Sequence, residues 1–387
     1  MAMRDCLLTT TLRARKESKV PCLPCGFVIA FLLATYTARA EEPVRVLIVD
    51  GNGAVGSKKG GGAYYVDTVL KSVKGYAPVI KDVGALENSE LGGASQIFLL
   101  DLPELSEKAR TNLEAHVKAG SGVAFFLGDK VRPAHYNRLL YRKGEGIFPV
   151  QLASQSAEPP KGKEKAEAAR PSGPGLYVRV PNHPLCADLV DASEFFKFLD
   201  IGRHFPIVRT KRDQAAGRVQ ELIALPNEAD ASDFKEEAQK LNRAIPVADE
   251  RYKEFRTGLE RHQWALRRAL VFGKKAWELG VALDALLEDR GDPKDAERAD
   301  LTKFWSKPDV KELRQQIAAL RDRTRYADPI VVAAPFGKGR VVACLTSAGG
   351  SWNDWADGPA APTFVMLTAN LAKHLAGGDP PLTGKRP

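Results

Sequence analysis

Three aspartates lie at positions where strands of a sheet are predicted to end. Asp50 and Asp101 each close an apolar run, and Asp129 lies two residues beyond a third. The carboxyl ends of strands form the ligand edge of open α/β sheets, where carboxylate oxygens could hold Mg²⁺ or Ca²⁺. Aspartates at strand ends also cap turns and helix starts. We favour capping, assign no metal site, and keep the three residues as ligand-binding candidates.

An aromatic loop near the carboxyl terminus offers a second candidate. Trp352 and Trp355 flank Asn353 and Asp354. Exposed indole rings at this spacing could form a platform for a carbohydrate or a peptide. Two tryptophans three residues apart more often cap the edge of a core. We keep Trp352, Asn353 and Trp355 as binding candidates with both interpretations open.

The glycine-rich stretch after the first apolar run matches the dinucleotide-binding pattern by letters. Gly51, Gly53 and Gly56 have the required spacing. That pattern binds a pyrophosphate only where a helix opens at once, so that its amide dipole meets the phosphates. Residues 57–62 read Ser-Lys-Lys-Gly-Gly-Gly and delay the helix, and no Lys-Ser/Thr pair follows Gly56 as a Walker motif requires. We therefore expect a flexible basic loop and no cofactor.

No arrangement typical of nucleophilic or zinc catalysis stands out in the sequence. The strand-to-helix turn at 126–129 contains no thiol or hydroxyl. Four histidines are scattered without a carboxylate at a diagnostic spacing, namely His116, His135, His183 and His204. Zinc-ligand spacings are absent as well. We name no catalytic residue and favour a protein that is not an enzyme.

Apolar runs alternate with helical patterns along the chain of 387 residues. Near-continuous runs such as 44–50 and 122–127 are typical of parallel strands covered on both faces. Alternation at this spacing predicts an α/β fold with a doubly wound, mostly parallel sheet. Near the end, 329–334 and 340–345 flank a glycine turn and predict a hairpin, and 363–375 predicts a closing helix.

Changes in composition predict the domain organisation. Residues 41–225 are predicted to form the first part of an α/β sandwich. Within them, the Lys-, Glu- and Pro-rich segment 154–174 is expected to be a mobile surface loop. Residues 226–325 are charged and carry an apolar stripe at helical spacing, which predicts a long insertion shaped as a helical hairpin. The sheet resumes at 326–377, and 378–387 is expected to be a frayed tail.

The first 40 residues have the layout of an export signal. A basic segment precedes a short apolar run at 26–36, and Ala-Arg-Ala at 38–40 fits a cleavage site. No apolar run reaches the length of a membrane-spanning helix. Without 1–40 the net charge falls from +9 to +5, because 51 basic and 46 acidic residues remain. Such a surface does not indicate nucleic-acid binding, and we expect a periplasmic or extracellular protein.

Two cysteines remain after the signal, Cys186 and Cys344. An exported protein could join them in a disulfide. Cys344 lies in an apolar run, however, and this favours two buried thiols.

Four segments of the chain carry a family resemblance. They are 46–52 (VLIVDGN), 98–137, 182–185 (NHPL) and 336–355. Together they resemble the class I glutamine amidotransferase-like domains of exported or membrane-anchored bacterial proteins of planctomycete type. The resemblance implies a flavodoxin-like sandwich, and a protein partner such as a von Willebrand factor A or Bat-type membrane protein. Amidotransferases place a cysteine in a Gly-x-Cys-x-Gly turn, whereas Gly-Asp at 128–129 lies in that neighbourhood here, so glutaminase activity is not implied.

These observations lead to one expected function and one alternative. We expect an exported, non-catalytic α/β domain that binds a protein or a ligand at the carboxyl edge of its sheet, with the helical segment making partner contacts. The alternative is a metal-dependent hydrolase, similar to amidotransferase-like or trehalose-utilisation-like proteins, which uses the aspartate cluster at the strand ends.

Overall fold

A computed structural model describes five stretches of the chain, residues 43–53, 57–157, 175–209, 218–287 and 296–377. The predicted export signal, nearly all of the predicted loop at 154–174 and the predicted tail at 378–387 lie outside the described residues.

The described residues contain one large sheet and one small ribbon. In chain order the strands are β1 (Val44–Asp50), β2 (Tyr76–Lys81), β3 (Gln96–Leu100), β4 (Gly122–Phe126), β5 (Gln151–Leu152), β6 (Tyr177–Val178), β7 (Ile207–Val208), β8 (Gln220–Pro226), β9 (Tyr326–Phe336) and β10 (Gly339–Cys344). The large sheet has the order β2-β1-β3-β4-β10-β9-β8-β6, and β5 pairs with β7 in the ribbon. The first five strands of that order are parallel, and β9, β8 and β6 continue the sheet in antiparallel pairs.

The parallel half of the sheet has the strand order of flavodoxin-like folds. With β10 taken as the fifth parallel strand, the order is 2-1-3-4-5. The hairpin predicted near the end of the chain is present, since β9 and β10 pair around the turn between Phe336 and Gly339. The mostly parallel sheet predicted from the alternation of patterns is confirmed.

Helices cover both faces of this sheet. They are α1 (Gly62–Ser72), α2 (Glu107–Ala119), α3 (Pro133–His135, continued by a π-helix over Tyr136–Tyr141), α4 (Ala187–Asp191), α5 (Ser232–Ala244), α6 (Arg256–Phe272), α7 (Ala276–Leu287), α8 (Ala296–Trp305), α9 (Lys311–Arg325) and α10 (Ala361–Leu375). Val46 and Ile48 of β1 share a core with α1 and α10, whereas Leu47 and Val49 share a core with α2. This alternation makes the sheet doubly wound. Within the described residues, no helix is long and apolar enough to span a membrane.

The charged segment between β8 and β9 forms a third core from its own helices, α5 to α9. Its fully buried side chains include Leu259, Leu266, Leu283, Phe304 and Leu320. The predicted helical hairpin was therefore too simple. Gly273 follows the end of α6, and Pro308 begins a 3₁₀ turn ahead of α9, so the apolar stripe is divided among several packed helices. Asp284 on α7 pairs with Arg321 and Arg325 on α9, which joins these helices across their interface.

Candidate functional site

The carboxyl ends of β1 and β3 lie side by side, and one asparagine joins them. Asn52 donates its side-chain Nδ2–H to Asp101 Oδ2 at 3.0 Å and its backbone N–H to Asp50 Oδ1 at 2.8 Å. Asp50 and Asp101 are thus brought together as the sequence suggested. Neighbouring strands β1 and β3 are also where the strand order of a flavodoxin-like sheet reverses, which is the usual place for a ligand.

Asp50 is the most deeply buried of the candidate aspartates. The residue is only 3% exposed to solvent. One carboxylate oxygen accepts from Asn52, whereas Oδ2 is buried and has no hydrogen-bond partner in the structure. Burial raises the pKa of Asp50, and the nearby Asp101 carboxylate raises it further. A buried carboxylate oxygen without a hydrogen-bond donor lowers the stability of the fold. This oxygen is therefore either protonated or accepts a hydrogen bond from a bound ligand.

Asp101 is held in a tight turn. Its φ of 49° lies in the left-handed region, which non-glycine residues rarely adopt. Added Cβ atoms on Gly51 and Gly128 would lie 2.1 Å from the Asp101 carbonyl oxygen and 2.5 Å from its Cγ, respectively. Only glycine fits at these two positions, because the neighbouring loops pack directly against Asp101.

Lys130 completes the polar set around Asp101. Its backbone N–H donates to Asp101 Oδ1 at 2.8 Å, and its Nζ donates to the carbonyl oxygen of Gly51 at 2.6 Å. Burial raises the pKa of Asp101, with a further contribution from the negative charge of Asp129. The loops after β1, β3 and β4 therefore meet in one network of hydrogen bonds.

Asp129, the third candidate, is engaged elsewhere. Its Oδ1 accepts from Trp352 Nε1 at 2.8 Å and from Arg203 Nη1 at 3.2 Å. The three aspartates do not present their oxygens to one point. Among the described residues, no group of three or more histidine, cysteine, aspartate or glutamate side chains could hold a metal ion.

The aromatic loop does not offer an open platform. Trp352 is 3% exposed and Trp355 is 1% exposed. Trp352 packs on Phe205 with ring centroids 5.2 Å apart, and Trp355 Nε1 donates to Thr363 Oγ1 at 2.8 Å. Of the two interpretations, capping of the core edge matches this burial. Stacking of a ligand on either ring does not.

Asn353, between the two tryptophans, uses its side chain for hydrogen bonds within the protein. Its Nδ2 donates to Thr346 Oγ1 at 2.9 Å and to the carbonyl oxygen of Ser347 at 2.8 Å, while its Oδ1 accepts from the backbone N–H of Trp355. These bonds fold the segment after β10 back on itself, and they hold Trp352 where it reaches Asp129.

Two glycines approach each other closely where the segment after β10 meets the start of α1. An added Cβ on Gly349 would lie 2.8 Å from the backbone N of Gly62, the first residue of α1. The segment after β10 therefore covers the amino end of this helix, where a pyrophosphate would have to lie.

Both described cysteines and the histidine pair His183 and His374 are buried in the sheet domain. Cys186 and Cys344 are both free and buried, which confirms two thiols rather than a disulfide. Burial raises the pKa of Cys186 to about 12, and it raises the pKa of Cys344 as well. His183 is 1% exposed, and its ring lies 5.1 Å from that of His374.

Three polar residues at the edge were missed in the sequence. Asn52 follows Asp50 by two positions, a spacing typical of an Asx turn, and this signal could have been used. Lys130 and Arg203 carry no comparable signal. Arg203 reaches Asp129 because the segment ahead of β7 lies beside the segment after β10, where the Arg203 N–H donates to the carbonyl oxygen of Trp352 at 3.0 Å.

Comparisons with known proteins give a likeness of fold only. No family model matches the chain, and no curated protein matches it. Among solved structures, two cytoplasmic proteins of Salmonella typhimurium align with 10% and 9% identity and TM-scores of 0.41 and 0.40; they cover 84% and 86% of this chain, and 98% of each of those chains is covered. A ThuA-like protein from Parabacteroides merdae aligns with 9% identity over 87% of this chain and 91% of its own, at a TM-score of 0.37. The description of the fold rests on the strand order, and no activity is drawn from these neighbours.

Proposed function

We propose that the chain is an exported, non-catalytic module that binds a small polar ligand between the ends of β1 and β3. The observation that carries this proposal is Asp50 Oδ2, a buried carboxylate oxygen without a hydrogen-bond partner beside a second carboxyl group. A donor from a ligand would remove the cost of leaving that oxygen unpaired. The location favours the same conclusion, because open α/β sheets bind ligands where the strand order reverses.

The chemistry of the edge favours a ligand rich in hydrogen-bond donors. Asp50 and Asp101 supply acceptor oxygens, and Asn52 already fixes their separation with its two donors. A hydroxyl group or a primary ammonium group would complement them, whereas an anion would meet two carboxyl groups at close range. The ligand class is therefore a small polyol or a small amine.

Several features support binding over catalysis. The turn after β4 offers no thiol or hydroxyl, and Asp129 is occupied by Trp352 and Arg203. A metal-dependent hydrolase would need ligands that converge on one ion, and the described carboxylates do not. The hydrolase alternative accordingly has less support.

Export is supported by the sequence of the first 40 residues. The test is expression of the whole chain in a bacterium, followed by cell fractionation and amino-terminal sequencing. We expect the protein outside the cytoplasm with Glu41 as its first residue. A cytoplasmic protein that retains residues 1–40 would contradict export and leave the ligand site to be judged separately.

The binding test uses thermal melting of the chain from Glu41. This chain retains each residue of the three cores, which begin at Val46. Mannitol, glucose, ethanolamine and putrescine serve as probes, with Mg²⁺, Ca²⁺ and EDTA in separate arms. We expect a probe of one donor class to raise the melting temperature of the wild type, and Asp50→Asn to abolish the shift. Asp188→Asn, at an exposed aspartate on α4, is the matched control.

The outcomes separate the two functions. A shift with Mg²⁺ or Ca²⁺ that EDTA reverses and Asp50→Asn removes would favour the metal-dependent alternative. Equal shifts in the wild type and in Asp50→Asn, or no shift with any probe, would contradict a ligand site at this aspartate.

A further inference from the structure

The structure has an exposed apolar and basic surface on the helical segment, far in sequence from the aspartates. We propose that this surface, formed by the outer face of α6 and the turn into α7, docks on an anionic lipid membrane. We call it the α6–α7 surface and define it by Trp264, Arg268, Val271, Phe272 and Val281. The inference is independent of the ligand site.

The apolar part of the α6–α7 surface is unusually open to solvent. Trp264 is 60% exposed, Val271 68%, Phe272 73% and Val281 40%. The first three lie on one side of α6, at helical positions i, i+7 and i+8, while Leu266 and Leu270 are buried on the other side. Large apolar side chains grouped in this way mark an interaction surface rather than scattered exposure.

A shallow groove connects these side chains. It has a volume of about 370 Å³ and is lined by residues of α6 and α7, among them Trp264, Phe272 and Val281. Phe272 is the last residue of α6, so Val271 and Phe272 stand at a helix end beside the turn at Gly273. A helix end of this kind can enter the boundary between headgroups and acyl chains without burying the whole helix.

Basic residues predominate beside the apolar side chains, although the acidic Glu278 also lines the groove. Between residues 261 and 275 the chain has five basic residues and no acidic one. All five are exposed, namely Arg261, Arg267, Arg268, Lys274 and Lys275. The guanidinium of Arg268 lies over the Trp264 ring, 5.8 Å from its centroid. The net charge of this stretch complements the negative surface of a bilayer that contains anionic lipids.

The combination favours a lipid surface over a protein partner. Tryptophan is enriched at the membrane interface, and long basic side chains extend from apolar surroundings to headgroups. The centre of a stable protein interface is depleted in charged residues, and lysine in particular is under-represented there. Here basic residues lie on both sides of Val271 and Phe272 and outnumber the acidic ones, of which Glu278 lines the groove and Glu228 lies 3.5 Å from Lys275.

The test is binding of the chain from Glu41 to vesicles. One set contains phosphatidylcholine alone, and the other contains phosphatidylcholine with about a third phosphatidylglycerol. Brominated acyl chains report insertion by quenching tryptophan. Trp264 is the most exposed of the five tryptophans, since Trp277 is partly buried and Trp305, Trp352 and Trp355 are 4%, 3% and 1% exposed. We expect co-sedimentation only with anionic vesicles, loss of binding at high salt, and quenching that disappears in Trp264→Phe.

A matched pair of double variants locates the binding. Val271→Glu with Phe272→Glu removes the apolar end of α6, and we expect at least a tenfold lower partition to anionic vesicles. Phe198→Glu with Val365→Glu makes the same change in charge outside the α6–α7 surface, at residues that are 48% and 44% exposed. We expect its partition to anionic vesicles to stay within twofold of the wild type. Circular dichroism verifies that both variants are folded.

Four results would overturn the inference. They are absence of vesicle binding by the folded wild type, equal binding to neutral vesicles, unchanged binding of the α6 double variant, and equal loss in the control double variant. Light scattering provides a further arm: a dimer that the α6 double variant dissociates, without vesicle binding by the wild type, would assign the surface to a second copy of the chain.

Discussion

Asn52 Nδ2 lies 3.0 Å from Asp101 Oδ2, and this hydrogen bond joins the carboxyl ends of two neighbouring parallel strands. The backbone N–H of the same asparagine holds Asp50. One residue therefore fixes two carboxyl groups that both have raised pKa values, at the point where the strand order reverses. The proposed ligand site follows from this arrangement.

The stability of the protein should reveal the burial of Asp50. Because the folded state raises its pKa, the folded state binds more protons than the unfolded state above the ordinary value of 3.8. The stability contributed by the protonated form is complete below that value and is lost as the pH rises through the folded pKa. We expect Asp50→Asn to raise the free energy of unfolding by about 1 kcal/mol at pH 7 and by little at pH 3.5, measured by urea unfolding.

A control for this experiment is Asp188→Asn, which changes an exposed aspartate. Its effect should be small and similar at both values of pH. If Asp50→Asn destabilises the protein at pH 7, the charged Asp50 carboxylate is stabilised by its surroundings in the fold. That result would contradict an unpaired, destabilising carboxylate oxygen at this position.

His183 should impose the opposite pH dependence. Burial, together with His374 and Arg340, lowers its pKa to about 4 from an ordinary value of 6.5. The unfolded state therefore binds more protons between these values, and stability is lost as the pH falls from about 6.5 toward 4. We expect about 2 kcal/mol of this loss to disappear in His183→Asn, measured by urea unfolding at pH 7 and pH 4.5. Parallel curves for the variant and the wild type would exclude His183 as the cause.

The contact between Asp129 and Trp352 should couple the turn after β4 to the segment after β10. Asp129→Ala leaves the buried indole N–H without its acceptor, and we expect a loss of about 1–3 kcal/mol in stability. Trp352→Phe removes the donor as well as ring volume. A double-mutant cycle between the two should give a coupling energy of about 0.5–1.5 kcal/mol. Simple additivity would mean that the hydrogen bond contributes nothing to stability.

Gly51 should not tolerate a side chain. Its added Cβ would lie 2.1 Å from the carbonyl oxygen of Asp101, so the loops after β1 and β3 would have to separate. We expect Gly51→Ala to cost about 1–3 kcal/mol and to prevent any ligand-induced rise in melting temperature. Gly258→Ala on α6 is the control, because its Cβ meets open space and alanine favours helix. Equal melting temperatures of the two variants would contradict the tight packing of Asp101.

The helical segment should depend on Asp284. Its carboxylate pairs with Arg321 and Arg325, and all three side chains are nearly buried. Removing one partner of a buried ion pair leaves uncompensated charge, so we expect Asp284→Ala to lower stability by about 3–5 kcal/mol in chemical unfolding. Asp322→Ala removes a more exposed partner of Arg321, and we expect less than 1 kcal/mol. Similar losses in both variants would contradict the special position of Asp284.

The sheet could be predicted from sequence because its strands are long apolar runs separated by helical patterns. The burial of β3 and β4 throughout, and of β1 from Val46 onward, produces a signal that needs no knowledge of distant contacts. The same logic failed for the helical segment. An apolar stripe shows that helices pack, but where Gly273 and Pro308 divide them depends on how they fold against one another.

The candidate site was predictable only in part, for a related reason. Asp50 and Asp101 could be placed together because strand ends meet at one edge of a parallel sheet. The orientation of Asp129 could not, since it is set by Trp352 and Arg203, residues distant in the chain. Burial of the two tryptophan rings likewise depends on tertiary packing that their spacing does not encode.

A ligand site between Asp50 and Asp101 is decided by the melting temperature of the wild type, Asp50→Asn and Asp101→Asn with the polyol and amine probes. A ligand at a hundred times its Kd stabilises the folded state by about 2.7 kcal/mol, which is a shift of several degrees for a domain of this size. We expect such a shift for the wild type and its loss in both variants. A shift that survives in both variants, or none with any probe, would contradict a ligand site between Asp50 and Asp101.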